Sequence, residues 1–212
     1  MHKHARFIPA AGHDLALPLY DPLVRLMGAD RAREALFTQV RMAPGQRVLD
    51  IGCGTGTLAV WLARTRSGVD VVGLDPDQRA LARATRKAER AGVRVRFEQG
   101  FAETLPFEAA TFDHVVSSFM LHHLEPETKA QTLREVQRVL KPGSAFHLLD
   151  FDAPEHGVHG VLQRLLHARG GERANHHLDA LLEEAGFVEV TRRTAQAVLF
   201  QPVVALSARR RP

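Results

Sequence analysis

The sequence contains one cysteine, one tyrosine and one tryptophan in 212 residues. Because Cys53 is the only cysteine, no disulfide can form within the chain, as is typical of proteins from a reducing compartment. No apolar run reaches the roughly 18–20 residues that a membrane-spanning helix needs. The first residues, MHKHARFIPAAGHD, do not contain the unbroken apolar segment of a secretory signal. These absences predict a cytoplasmic protein without a membrane span.

Lysine is scarce as well, although the formal net charge is +4 and the pI is near 9.8. A basic chain of this kind can bind nucleic acid. Here the positive charge comes from arginines spread along the chain, and the only run of three is at residues 209–211. We therefore do not expect nucleic acid as a partner. The 45% hydrophobic and 25% charged residues are the usual balance of one globular domain.

The order of apolar patterns predicts the fold class. From Gln46 onward, short β-branched runs alternate with longer helical patterns, which favours βαβ units and a parallel sheet. Segments 187–192 and 197–206 are too close for a helical crossover and predict an antiparallel hairpin, with Pro202 at a bulge or an edge. The other expected strands are 47–51, 69–74, 93–97, 112–117 and 145–150, and the expected helices include 19–27, 31–40, 77–90, 126–140 and 178–185.

The most informative motif is VLDIGCGTG, residues 48–56, in which a buried strand runs into three alternating glycines. Glycines let the backbone come close to a ligand, and the following helix N-terminus offers unpaired N–H groups. Asp75 ends the next strand, 19 residues after Gly56. A carboxylate there can accept hydrogen bonds from both ribose hydroxyls of an adenosine-containing cofactor.

A nicotinamide or flavin enzyme has a similar plan, so the spacing of the glycines matters. The dinucleotide fingerprint is GxGxxG, but this loop is GxGxG, and Thr57 stands where the third dinucleotide glycine would be. Asp50 also places a negative charge at the mouth of the loop, which would repel a pyrophosphate and attract a methionine ammonium. The pattern therefore favours a methyl donor over a dinucleotide.

Six motifs in order resemble those of the class I S-adenosylmethionine-dependent methyltransferases, close to the group around the ubiquinone/menaquinone C-methyltransferases. The resemblance covers residues 46–187 and implies a Rossmann-like three-layer α/β sandwich, with a seven-stranded, mostly parallel sheet and an antiparallel C-terminal strand. It also implies S-adenosylmethionine as cofactor and S-adenosylhomocysteine as product. The motifs are VLDIGCGTG, VVGLDPD (71–77), ETLPF (103–107), FDHVVSSFMLHHL (112–124), RVLKPGS (138–144) and LLEEAGF (181–187).

The same resemblance implies a set of cofactor-binding residues. Those expected along the methionine part are Asp50, Gly52, Gly54 and Gly56, and those expected near the methionine and the transferred methyl are Ser117, Ser118 and Leu121. Those expected at the ribose and adenine are Asp75, Pro76, Phe101 and Ala102. Relatives usually have an aspartate at the position of Phe101, where it binds the adenine amino group; Phe101 can only pack on the ring, or Glu103 can take over.

A single methyltransferase domain over residues 1–212 is expected, in four parts. A helical lid or cap spans 1–45, the cofactor-binding core spans 46–150, a variable insert spans 151–178, and the last helix and hairpin span 179–212. The acceptor pocket is expected to come from the cap and the insert, where His13 and Tyr20 are candidate substrate contacts. Ordinary packing of Tyr20 is the alternative.

Methyl transfer from a sulfonium needs alignment and exclusion of water, and it needs a base only if the acceptor must lose a proton. His122 is the candidate base and substrate contact, whereas His123 is expected to cap a helix or face solvent. The histidines of segment 156–177 have poor spacing for zinc, so no metal is expected. We expect a small-molecule acceptor; an RNA or protein methyltransferase and a non-catalytic binding protein remain alternatives, and monomer and homodimer are both open.

Overall fold

The computed structural model describes residues 29–152, 178–198 and 201–212. Seven strands form one sheet in the order β3-β2-β1-β4-β5-β7-β6. The strands are β1 (Arg47–Ile51), β2 (Asp70–Asp75), β3 (Arg96–Gln99), β4 (Phe112–Ser118), β5 (Leu140–Phe151), β6 (Val188–Val198) and β7 (Gln201–Arg209). The helices are α1 (Ala29–Phe37), α2 (Thr57–Thr65), α3 (Gln78–Ala91), α4 (Pro126–Val139) and α5 (Leu178–Glu184), with a 3₁₀ turn at Leu121–His123. The predicted helix 19–27 lies outside the described residues.

The first five strands run parallel, as the alternation of strands and helices predicts. β1 pairs with β2 on one side and with β4 on the other, so that Asp50 is opposite Gly73 and Val116. β4 continues the ladder with β5 through pairs that reach Ser118 and Leu149. Because parallel strands end at the same edge of a sheet, the carboxyl ends of β1, β2, β4 and β5 meet there. This edge carries the candidate site.

The C-terminal hairpin is confirmed, because β7 runs antiparallel to both β5 and β6. Of the two positions expected for Pro202, the edge is wrong: β7 lies between two partners inside the sheet. The bulge fits, since the β6–β7 register shifts between the pairs Ala195–Val203 and Val198–Gln201, which flank Pro202. A proline has no N–H to give to the ladder, so an irregular position accommodates it.

Helices cover both faces of the sheet, which confirms the three-layer sandwich. On β1, Val48 and Leu49 are both fully buried but belong to different apolar clusters, one on each face. The Val48 cluster includes side chains of α1 and α2, whereas the Leu49 cluster includes side chains of α4 and α5. Alternate residues of a strand point to opposite faces, so a central strand between two such clusters has apolar residues on both faces.

Local signals explain where the helices around the site begin and end. Asp77 caps α3, and its Oδ1 accepts hydrogen bonds from the backbone N–H groups of Arg79 (2.8 Å) and Ala80 (3.2 Å). Gly92, with φ of 66°, ends the same helix in the left-handed conformation. Pro126 stands in the first turn of α4. Within the described ranges, no helix has both the length and the apolar character needed to cross a membrane.

Candidate active site

The glycine loop after β1 has a left-handed backbone at all three alternating glycines, with φ of 68° at Gly52, 52° at Gly54 and 75° at Gly56. A Cβ on Gly52 would lie 2.2 Å from Cγ of Met120, and one on Gly56 would lie 2.7 Å from Cβ of Ala84. A Cβ on Gly54 would have no heavy atom within 4 Å. Gly52 and Gly56 are therefore required by packing, whereas Gly54 borders open space that a ligand can occupy.

Asp75, at the end of β2, is hydrogen-bonded to this loop. Its Oδ2 accepts a hydrogen bond from the backbone N–H of Gly54 (2.8 Å), and its Oδ1 accepts one from the N–H of Asp77 (2.9 Å). Burial raises the pKa of the Asp75 carboxyl, and these two hydrogen bonds oppose the rise. The acid predicted to hold the ribose thus lies beside the glycine that borders open space.

Asp50 is the most unusual group at the site. It is 1% exposed, and neither carboxylate oxygen has a hydrogen-bond partner within the described part of the chain. Burial raises the pKa of Asp50 to about 7; the positive charge of Arg33 opposes this, the nearby Asp75 adds to it, and the backbone N–H of Ala59, near the carboxylate but outside hydrogen-bonding geometry, opposes it weakly. A buried carboxylate without a partner is costly, so the site is suited to receive a cation. The ammonium of S-adenosylmethionine has the required charge, and the residues present fit the predicted cofactor.

Arg33, from α1, is a site residue that the sequence did not reveal. Its Nε donates a hydrogen bond to Oγ of Ser118 (3.1 Å), and its guanidinium lies 5.2 Å from the ring centroid of Phe119. A second donor is held by Asp30 at 3.0 Å. Arg33 therefore ties α1 to the end of β4 and supplies positive charge near Asp50. No motif surrounds it, so only the packing of α1 could identify it.

The predicted adenine residues are brought together by the pairing of β2 with β3, in which Asp75 is opposite Gln99. The Gln99 side chain donates to the carbonyl of Pro76 (3.1 Å). Phe101 follows two residues later and is half-buried, and Ala102 is 8% exposed. The backbone N–H of Gly100, just before them, donates to the carbonyl of Asp75 (3.2 Å), so this loop starts beside the expected ribose acid; the contacts of Phe101 and Ala102 with adenine stay a prediction.

The three residues predicted after β4 are placed differently from one another. The Ser117 hydroxyl is buried and donates to the carbonyl of Ile51 (3.3 Å), while the Leu121 side chain is fully buried in the core. The structure does not bring these two side chains to the open edge, because alternation along β4 and the 3₁₀ turn directs them inward. Ser118 bonds Arg33 instead. Any contact of Ser117 or Leu121 with the cofactor stays a prediction and would involve the backbone.

His122 is held by an acid that the sequence analysis did not select. Its Nδ1 lies 2.6 Å from Oδ1 of Asp150, and its backbone N–H donates to Oδ2 of the same residue (3.1 Å). Asp150 is 0% exposed and lies near the end of β5, next to β4 in the sheet. A signal was available, since a carboxylate near the end of a predicted strand falls on the ligand-binding edge. His123 is exposed, as expected.

Other predicted residues lie outside the described parts of the chain. They are His13, Tyr20 and the histidines of segment 156–177, together with most of the predicted cap and insert. In the ranges that are described, no group of three or more His, Cys, Asp or Glu side chains is arranged to hold a metal ion. The single cysteine, Cys53, is buried, and burial raises the pKa of its thiol well above the usual value.

The sheet order, the glycine loop after β1 and the acid after β2 define a Rossmann-like nucleotide-binding protein. Residues 48–143 match a family described as a methyltransferase domain. A demethylmenaquinone methyltransferase of Thermus thermophilus is 40% identical over 156 residues, which cover 72% of this chain and 70% of that protein. An uncharacterized methyltransferase of Synechocystis is 36% identical over 168 residues, covering 77% of this chain and 76% of that protein.

Solved structures share the fold. The YcgJ protein of Bacillus subtilis has a TM-score of 0.69 at 21% identity, covering 86% of this chain and 99% of that chain. Phosphoethanolamine N-methyltransferase 2 of Haemonchus contortus, in complex with S-adenosyl-L-methionine, has a TM-score of 0.75 at 15% identity, covering 98% of this chain and 60% of that chain. The chain belongs to the S-adenosylmethionine-dependent methyltransferases, and S-adenosylmethionine is its cofactor.

Proposed function

We propose that this methyltransferase acts on a small molecule, and that the acceptor lies beyond the glycine loop, at the edge formed by β4 and β5. The observation that carries the proposal is the buried carboxylate of Asp50, which has no hydrogen-bond partner among the described residues, in the same loop region as the open space at Gly54. The carboxylate and the open space together can bind the amino-acid part of the cofactor. With the donor seated there, the turn after β4 is the part of the edge on which an acceptor can approach it.

A reduced demethylmenaquinone is the first acceptor to test. Relatives from Thermus thermophilus and Deinococcus radiodurans, at 40% and 37% identity, are named demethylmenaquinone methyltransferases. The acceptor in these names, demethylmenaquinone, is a small molecule, which supports a small-molecule acceptor over RNA or protein. The scattered arginines of this chain support the same preference.

The residues of the site bind and orient rather than form a covalent bond to the methyl group. When bound, S-adenosylmethionine supplies a methyl group that is already electrophilic. Asp50 is expected to hold the ammonium, and Asp75 the ribose, while Gly54 lets the backbone approach closely. Fixing donor and acceptor in line can lower the barrier by roughly 7–11 kcal/mol, because the entropy of bringing them together is lost on binding rather than in the reaction.

The test is a transfer assay with the full chain. Purified protein is incubated with S-adenosylmethionine and reduced demethylmenaquinone, and both S-adenosylhomocysteine and the methylated ring are measured by mass spectrometry. Asp50→Asn is the loss-of-binding variant, and Asp70→Asn, a carboxylate with a 59% exposed side chain, is the matched control. Product that depends on Asp50 but not on Asp70 supports the proposal. Cofactor binding without transfer to this ring, or transfer only to RNA or protein, contradicts it.

A further inference from the structure

The contact between His122 and Asp150 is shorter and better enclosed than most of the side-chain pairs at the site. The distance from Nδ1 to Oδ1 is 2.6 Å, slightly shorter than the roughly 2.7–2.9 Å of a charge-assisted N–H···O hydrogen bond. Asp150 also accepts hydrogen bonds from the backbone N–H groups of His122 (3.1 Å) and Phe151 (2.8 Å). Three donors on one fully buried carboxylate satisfy its charge, so Asp150 is a fixed acceptor.

This arrangement fixes the tautomer of the imidazole. A carboxylate can only accept, so Nδ1 of His122 must carry the hydrogen, and Nε2 of a neutral ring then carries the lone pair. No hydrogen bond to Nε2 is made by any residue that the structure describes, and the side chain is 23% exposed. The ring of His123 lies 3.9 Å from that of His122 between centroids, and that of Phe151 lies edge-on at 5.1 Å. His122 therefore presents a basic nitrogen in a fixed direction.

The turn that carries His122 touches the cofactor loop. Met120, two residues earlier, packs so closely against Gly52 that a Cβ there would lie 2.2 Å from its side chain. On the other side, Asp150 follows Leu149, which pairs with Ser118 at the end of β4. The imidazole and its acid thus lie on the edge of β4 and β5, immediately beyond the loop that is expected to hold the methionine part of the cofactor.

We propose that His122 is the base that removes a proton from the acceptor and that Asp150 is the residue that positions it. This inference rests on the proposed function and narrows the acceptor to a compound with an ionisable hydroxyl, such as a phenol or a hydroquinone.

The acceptor loses its hydroxyl proton to Nε2 of His122, and its oxygen or a ring carbon conjugated with it forms the new bond to the methyl group. The sulfur–methyl bond breaks, and sulfur keeps the electron pair. If carbon is methylated, the hydrogen on that carbon leaves as a proton and the aromatic ring is restored. His122 then releases its proton to water.

The charged groups around the imidazole lie at different distances from it. Asp150 contacts the ring directly, and the ring of His123 lies tilted beside it. Farther out, Arg33 lies over Phe119, whose ring packs against Phe151, and Asp152 is paired with Arg192 at 2.6 Å. Among the described residues, Asp150 is thus the carboxylate bonded to the imidazole.

The experiment compares two variants with two neighbouring controls, using reduced demethylmenaquinone as the acceptor. His122→Gln and Asp150→Asn are expected to lower kcat by roughly 100- to 10,000-fold, the usual contribution of a general base. The double variant is expected to lose no more than the worse single variant, because both act through one group. His123→Gln and Asp152→Asn are expected to stay within about threefold of wild type. S-adenosylhomocysteine affinity is expected to change by less than about threefold throughout.

Two readouts separate a positioning role from a structural one. Asp150→Asn is expected to lower kcat while KM for the acceptor stays within about threefold of wild type, because the variant changes the direction of the imidazole and not the surface that binds the acceptor. Nitrogen-15 spectra of the wild-type protein are expected to show the Nδ1–H tautomer of His122. An Nε2–H tautomer overturns the inference, as does full activity of His122→Gln. A wild-type protein inactive on this acceptor contradicts the proposed function instead, and the tautomer then decides the inference.

Discussion

Replacing Asp50 with asparagine tests two consequences of a buried carboxylate that has no hydrogen-bond partner among the described residues. One is a stability that depends on pH, and the other is binding of the cofactor. In the folded protein, burial raises the pKa of Asp50 from 3.8 to about 7. Between these values the folded state holds a proton that the unfolded state has released, so the free energy of unfolding falls as the pH rises from about 4 to about 7. Above pH 7 the loss is complete, and the shift corresponds to about 4 kcal/mol.

The measurable part of this loss lies between pH 5 and pH 8, where it is about 2–3 kcal/mol. Asp50→Asn removes the titration. We therefore expect the difference in stability between variant and wild type to move in favour of the variant by that amount as the pH rises. Urea unfolding at both pH values, followed by the fluorescence of Trp61, measures the difference. Asp70→Asn, at an exposed site, is the control and is expected to show no such change.

The same variant is expected to bind the cofactor more weakly. Losing a hydrogen-bonded partner of a charged group costs about 1.5–3 kcal/mol, which is roughly a 10- to 100-fold rise in Kd for S-adenosylhomocysteine. Titration calorimetry at pH 8 measures this. The expected role of Asp50 is supported if the variant becomes more stable relative to wild type as the pH rises and also binds S-adenosylhomocysteine more weakly. Unchanged affinity, or the same pH dependence of stability in variant and wild type, would refute the reasoning.

Three further perturbations test other parts of the site and the core. Asp75→Ala should weaken S-adenosylhomocysteine binding by about 1.5–3 kcal/mol in calorimetry, since it removes the ribose acceptor; unchanged affinity would mean that the ribose is held elsewhere. Gly54→Val should abolish binding and lower Tm only through the strain of a side chain at φ of 52°, whereas Gly56→Val should lower Tm further because its Cβ would also meet Ala84 at 2.7 Å; a larger fall in Tm for Gly54→Val, with binding lost only in Gly56→Val, would contradict the roles given to these glycines. Burial, with smaller effects from neighbouring positive groups, lowers the pKa of His147 to about 3, so its contribution to stability is present above pH 6.5 and is lost as the pH falls toward 3. Wild type should therefore lose about 1–2 kcal/mol more than His147→Gln between pH 6.5 and pH 5 in urea unfolding, and equal losses would contradict the assigned burial.

The features that the sequence could predict depend on neighbours along the chain. The glycine loop, the acid after β2, the proline at the start of α4 and the hairpin are all local patterns, and each is found at or within a few residues of its expected place. β5 is longer than expected, because the chain from Leu140 already pairs with Phe112 before the regular register begins at Ala145. Pro142 and Gly143 obscure this pairing in the sequence, since both residues are typical of turns.

The features that the sequence could not predict depend on contacts between segments that are distant along the chain. His122 and Asp150 are 28 residues apart, and Arg33 is 85 residues from Ser118. Their meeting is set by the register of β4 against β5 and by the packing of α1 on the sheet. The inward direction of Leu121 is likewise decided by the 3₁₀ turn rather than by any motif. The sequence could predict that Asp50 lies at the glycine loop. That its carboxylate has no hydrogen-bond partner among the described residues is seen only in the three-dimensional structure.

A crystal structure of the full chain with S-adenosylhomocysteine tests the central claim most directly. We expect the amino group of the ligand within hydrogen-bond distance of an Asp50 oxygen, its ribose at Asp75, and its sulfur facing the turn that carries His122. A ligand bound at another edge of the sheet, or one whose amino group leaves Asp50 without a partner, would contradict the account.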